Sequence, residues 1–259
     1  MRVRTVIDKE WEEIIRNRSV FWSLVLLPTI LTVLFLGVFL VMHLEVIRTG
    51  TIRSNSPLPA YLAAYDPADG IEIMMLNQFL MYFLMAPMAL PIYIAAYSII
   101  GEKQNRSLEP LLATPVRTWE LLLGKSVAAA VPPVVATWIA YAAFVLGSRF
   151  LVSDVVWRII VSPMWILMTA ILGPLFAILS VLVGVIASSR MNDPRAAQQW
   201  TALFILPAVG AGMAMMLGAL TLNIWTLLAG IGLVLALDAI ALYAAVRLFQ
   251  REVILTRWR

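Results

Sequence analysis

The chain has 259 residues, 62% of them hydrophobic and only 13% charged, with 19 lysines and arginines against 15 acidic residues. A mean hydropathy of +0.90 means more apolar surface than a domain of this length buries in its own core, so a bilayer must take the remainder. There is no cysteine, which excludes disulfide frameworks, thiolate nucleophiles and cysteine-based zinc sites.

Residues 1–20 predict a helix lying in the membrane interface. Ile7, Trp11, Ile14 and Ile15 recur at helical spacing, opposite Asp8, Lys9, Glu12, Glu13 and Arg16. The plainer alternative is a solvated charged tail. The apolar run that follows is too long for a cleaved signal peptide and comes after too many charges, so it reads as a retained span. Crossing a hydrocarbon core of about 30 Å takes about 20 apolar residues, and these must be helical because lipid offers no partner to free backbone groups. Six runs qualify, at 21–42, 76–100, 121–146, 159–188, 201–220 and 225–246. Prolines predict kinks in the second (Pro87, Pro91), third (Pro132, Pro133), fourth (Pro163, Pro174) and fifth (Pro207), since each removes a backbone hydrogen bond. The expected fold class is all-α and integral to the membrane: residues 1–259 form one transmembrane domain of six helices after an interfacial helix.

A polar island from Gly101 to Lys125 separates the second run from the third. Leu108, Leu111 and Leu112 stand at i, i+3 and i+4, with Glu102, Arg106 and Glu109 on the other side, so residues 101–118 predict a loop carrying a short amphipathic helix outside the bilayer. Pro115 ends that helix, because proline disfavours the α conformation in the residue before it.

The basic residues orient the chain. If the amino terminus is cytoplasmic, all of the 19 lysines and arginines except Arg48, Arg53, Arg149 and Arg158 lie on the cytoplasmic side. Both termini and the island are therefore expected in the cytoplasm. Trp22, Trp119, Trp157, Trp200 and Trp225 fall at predicted boundaries and fit an interfacial aromatic belt, whereas Trp138 falls mid-span and does not. The positive balance reflects this orientation, and no nucleic-acid partner is expected.

Few enzymatic chemistries survive inspection. Gly124-Lys125-Ser126 ends like a phosphate-binding loop, but the pattern needs a glycine where Trp119 stands and no strand precedes it. Asp66-Pro67-Ala68-Asp69-Gly70 opens like a phosphatidyl-transferase motif, yet Ile71-Glu72-Ile73-Met74 does not continue it, and a Pro/Asp/Gly turn explains it better. His43 has no second histidine with which to share a metal. Met74, Met75, Met81, Met85 and Met88 offer thioethers that suit copper(I), but methionine is also an adaptable packing residue. Asp238 stands well inside the last run. A carboxylate there is costly and faces a cavity or partner, or else makes a structural hydrogen bond to a neighbouring helix.

Ala95-Ala96-Tyr97-Ser98-Ile99-Ile100-Gly101-Glu102-Lys103, then Ser107-Leu108-Glu109 with Leu111-Leu112-Ala113-Thr114-Pro115-Val116, then Glu120-Leu121-Leu122-Leu123-Gly124-Lys125 resembles the signature of the ABC-2 family of ATP-binding-cassette transporter permeases. Arg106-Ser107 replaces the family's common glycine-threonine, and Pro110 after Glu109 is unusual. The resemblance implies a non-enzymatic, multi-pass permease of the inner (plasma) membrane. It would pair with a second permease copy, identical or paralogous, above two separate ATPase subunits. This chain would hold no cofactor, ATP and magnesium belonging to the ATPase. The loop would act as a coupling helix. Glu102, Lys103, Arg106 and Glu109 would make polar contacts with the ATPase, beside Ser107, and Leu108, Leu111 and Leu112 would form an apolar knob ended by Pro115.

Outward transport is implied by the resemblance alone. The expected pathway draws on Asn77, Gln78, Tyr82, Tyr93 and Tyr97, scattered polar groups in an apolar wall, with Asp238 as a further candidate. Such a wall suits a hydrophobic or amphipathic cargo, with an inorganic ion such as sodium or copper as the alternative. A different class of function is a secondary transporter or channel that uses Asp238 as its ion site. A third is a scaffold that anchors an ATPase.

Overall fold

In a lipid environment backbone polar groups must pair within the chain, and every regular element among the described residues is helical. The computed structural model describes residues 2–49, 59–104, 118–190 and 223–248, together with 199, 203, 205–207, 209–211, 213, 214 and 219–221. Helix α1 spans Arg2–Arg16 and α2 spans Arg18–Thr49. Between them, Asn17 Oδ1 accepts from the backbone N–H groups of Ser19 (3.1 Å) and Val20 (3.4 Å), which caps α2 and allows the chain to turn into it. The outer face of α1 carries the ion pairs Arg4–Asp8, Lys9–Glu13 and Glu12–Arg16 at helical spacing. This is the charged face anticipated from the sequence.

Helix α3 runs over Pro67–Gln104. It begins earlier than the apolar run because Asp66-Pro67-Ala68-Asp69-Gly70 opens the helix instead of forming a turn. The Asp66 carbonyl accepts from Gly70 N–H at 2.8 Å, and Pro67 takes the first helical position, where its missing N–H costs nothing. Hydropathy misses this turn because Asp69 and Glu72 lie in it, yet Ile71 and Ile73 are buried.

Helix α4 covers Thr118–Ser148. The next crossing is composite: α5 (Asp154–Ile160), α6 (Pro163–Leu167), a π-turn (Met168–Leu172) and α7 (Gly173–Arg190). Helix α8 spans Ile224–Leu248. Among the described residues, five segments are long and apolar enough to cross a membrane: Arg18–Arg48, Pro67–Ala95, Leu123–Ser148, Asp154–Ser188 and Ile224–Leu248. The further run expected at 201–220 lies largely outside the described residues, although 203, 205–207, 209–211, 213 and 214 are helical.

The prolines are accommodated in different ways. Pro87 and Pro91 lie inside α3 and Pro132 and Pro133 inside α4 without ending either helix. Next to Pro91, Ser180 of α7 donates its hydroxyl to the Met88 carbonyl (2.5 Å) and accepts from Ile92 N–H (3.1 Å). These are the two groups that an uninterrupted α3 would pair with each other. Close approach makes the insertion possible, since a Cβ on Gly184 would lie 3.1 Å from the Ile92 carbonyl oxygen. Small residues at such crossings are how helices pack where lipid removes the hydrophobic drive.

Pro174, which follows the π-turn, accounts for the misplaced tryptophan. In an i→i+5 register the Thr169 carbonyl would pair with position 174, where proline has no N–H to give. The Trp138 indole N–H donates to that carbonyl instead, at 3.2 Å. Trp138 stands mid-span because it satisfies a backbone group there.

The core between α2, α3 and α4 is aromatic. Phe35 stacks on Phe79 with centroids 4.1 Å apart, and Phe83 meets Tyr141 edge-on at 5.9 Å. The Tyr141 hydroxyl donates to the Ile160 carbonyl at the end of α5 (2.7 Å). Ile30, Val33 and Val41 of α2 and Leu233, Ile240 and Tyr243 of α8 remain exposed, as surfaces for lipid or another chain.

Candidate functional site

Glu10 of α1, Ser98 of α3 and Lys125 of α4 meet at one end of the bundle. Lys125 Nζ donates to Glu10 Oε1 at 2.6 Å and to Ser98 Oγ at 2.7 Å, and Ser98 Oγ donates to Glu10 Oε2 at 2.7 Å. Glu10 is 4% exposed and Lys125 6%. Charges so far from water are tolerated because the carboxylate and ammonium meet directly and the hydroxyl closes the ring, so both carboxylate oxygens are satisfied.

Neighbouring contacts hold α1 against the start of α4. The Trp11 indole N–H donates to the Ala128 carbonyl at 3.3 Å. A Cβ on Gly124 would sit 2.8 Å from Val6 Cγ1, so only glycine lets the two helices approach this closely. Gly124-Lys125-Ser126, rejected above as a phosphate loop, thus has a structural account. Gly124 admits Val6, Lys125 anchors Glu10, and Ser126 faces a groove described below.

Ser98 precedes residues 105–117 and Lys125 follows them, so the network ties both flanks of that segment to α1. Glu102 and Lys103 fall in the last turn of α3, with side chains outside the described residues. Arg106, Ser107, Leu108, Glu109, Leu111, Leu112 and Pro115 also lie outside the described residues. Sequence reasoning missed Glu10 as a site residue. The available signal was its register: it shares a stripe with Ile7 and Ile14, a carboxylate on the apolar side of an amphipathic helix.

A second feature lies between α4, α7 and α8. A groove of about 900 Å³ is walled by Leu123, Val131, Trp138, Leu182, Leu242 and further aliphatic side chains, with Ser126 and Asp238 in the lining. Its lining on α4 extends from Trp138 back to Leu123, next to the Gly124 contact with α1. Asp238 is 9% exposed, and neither carboxylate oxygen has a hydrogen-bond partner among the described residues. Among the described residues the interhelical hydrogen bond considered from the sequence therefore finds no donor, and Asp238 is one of the residues that line the groove.

The other expected pathway residues do not join it. Asn77, Gln78, Tyr82 and Tyr93 lie on α3 and are absent from the groove's lining. Tyr82 packs 5.8 Å from Phe35, Tyr93 packs on the core, and Gln78 Oε1 is buried without a partner among the described residues. The side chain of Tyr97 lies outside the described residues. Of the methionines, Met74 and Met75 pack on the core, while Met81 and Met88, with Met168, face a second cavity of about 730 Å³.

At the opposite end, Ser153 Oγ donates to Asp69 Oδ1 at 2.7 Å, joining the start of α3 to the cap of α5. Arg149 pairs with Asp154 at 2.9 Å and lies 5.0 Å from the Trp157 ring centroid.

Residues 4–237 match a family model described as "ABC-2 family transporter protein". No curated protein matches the chain.

Proposed function

Because the chain belongs to the ABC-2 family of transporter proteins, a family of multi-pass transport permeases, we propose that it is the membrane half of an ATP-driven exporter. Two permease copies, identical or paralogous, assemble with two ATPase subunits that carry ATP and magnesium. Each copy crosses the cell's inner (plasma) membrane six times, residues 201–220 supplying the crossing beyond the five described, with both termini in the cytoplasm. The cargo is a hydrophobic or amphipathic small molecule.

The observation that carries this reading is the buried Glu10–Ser98–Lys125 network. A segment that transmits force from an ATPase needs stiff flanks, or the motion dissipates in the loop. Here both flanks of residues 105–117 are tied to α1, so a push on the segment moves α1, α3 and α4 together. A helix lever biasing two packings of a bundle is a recognised switching device. Glu102, Lys103, Arg106 and Glu109 supply the polar contacts with the ATPase, and Leu108, Leu111 and Leu112 the apolar ones.

Co-purification tests the assembly. Tagged protein should bring down a soluble ATPase near stoichiometry, and vesicles containing both should export an amphipathic dye only with ATP. A second reading, ion-gradient-driven transport through Asp238, draws on that carboxylate's lack of a partner among the described residues. Full transport by the chain alone in liposomes would establish it and remove the first.

A further inference from the structure

The groove between α4, α7 and α8 carries one acid in an apolar wall. Among the described residues its lining contains no lysine, arginine or histidine. The Trp138 N–H is already committed to the Thr169 carbonyl, which leaves the Ser126 hydroxyl as the other polar side-chain group facing it. Asp238 is nine-tenths buried and both its oxygens lack a donor among the described residues. A bare carboxylate so placed is costly, and the cost is offset either by a proton or by a cation brought in from outside.

The same wall decides which cation. A hard metal ion needs about six oxygen ligands, and among the described residues the side chains of the lining offer one carboxylate and one hydroxyl. Leu123, Val131, Leu182 and Leu242 offer extensive apolar contact instead, and about 900 Å³ lies within the usual span for an organic ligand, roughly 300–1,000 Å³. Trp138, 43% exposed on the groove wall, presents the best aromatic surface for an organic cation. We propose that this groove binds a lipophilic monocation, a protonated amine or quaternary ammonium on an apolar body, with Asp238 as its counter-ion. Its meaning as cargo recognition rests on the exporter reading above, but the binding itself does not.

The test uses the full-length protein in nanodiscs with no ATPase. The probe is a fluorescent alkyl trimethylammonium, compared with its tert-butyl isostere, which has the same shape and no charge. The expected result is saturable binding of the ammonium to the wild type at least about tenfold tighter than the isostere, a size typical of a desolvated ion pair. Asp238→Asn should abolish that preference and Asp238→Glu should keep most of it. Equal binding of the two probes by the wild type overturns the proposal, as does undiminished ammonium preference in Asp238→Asn. If Asp238→Asn does not fold, the wild-type probe comparison and Asp238→Glu still decide the matter. Selective binding without ATP-dependent efflux would count against the exporter reading and leave the groove assignment standing.

Discussion

Lys125 Nζ lies 2.6 Å from Glu10 Oε1, joining residues 115 positions apart in the chain. Removing either partner strands the other charge in a buried site. Glu10→Ala or Lys125→Ala is each expected to cost about 3–5 kcal/mol. The double variant should cost clearly less than the sum, because neither charge is then left alone. Denaturant unfolding in detergent across the four-member cycle checks this, and strict additivity would show that the pair does not interact.

Gly124 faces Val6 with no room for a Cβ. Gly124→Leu should push α1 off α4 at a cost of about 1–3 kcal/mol and expose the Arg16 bond to trypsin. Val6→Ala in the same chain should restore part of both stability and protease resistance. A Gly124→Leu protein with wild-type proteolysis would argue that α1 does not dock here.

Two side chains that bond to broken helix backbone should respond differently. Trp138→Phe leaves the Thr169 carbonyl facing Pro174 with no alternative donor, so a loss of about 1–3 kcal/mol is expected. Ser180→Ala frees the Met88 carbonyl and Ile92 N–H, which can pair with each other once the hydroxyl is gone, so its cost should stay below about 1 kcal/mol. Thermal unfolding of the two variants side by side reads the difference, and a reversed order would refute the account.

Within residues 101–118, Glu102 and Glu109 are the charges that the orientation rule does not require. Glu102→Lys with Glu109→Lys is expected to leave membrane insertion intact, since added positive charge reinforces that orientation. The same variant should uncouple ATP hydrolysis from transport by about tenfold or more, as loss of desolvated charge pairs at an interface does. ATPase activity and dye export measured in one vesicle preparation check it, and normal ATP-driven export would remove these carboxylates from the coupling contact.

The spans were legible because their signal is local. An apolar run of sufficient length must be a helix in lipid whatever its neighbours are, and the described crossings fall on the expected runs, with α2 and α3 extending beyond them. The extra turns of α3 were hidden because Asp69 and Glu72 depress hydropathy where Ile71 and Ile73 are buried. The π-turn before Pro174 was hidden because proline announces a lost hydrogen bond but not the partner that replaces it. Of the candidate site, Asp238 could be found from its depth in an apolar run and Glu10 from its register on the apolar stripe of α1, whereas the partners that Glu10 meets, Ser98 and Lys125, could not be read without knowing what packed against it.

Composition and patterning by themselves determined that this is a multi-helix membrane protein with an amphipathic amino-terminal helix, and the motif around residues 95–125 supplied its family. Those properties depend on each segment's own transfer between water and lipid. Only the tertiary structure decided that Lys125 serves Glu10 rather than the membrane surface, that Trp138 bonds to a backbone carbonyl beside a proline, and that Asp238 lines an apolar groove without a partner among the described residues. A buried charge or hydrogen bond takes its energy from a partner far away in the chain, and folding alone decides which groups meet.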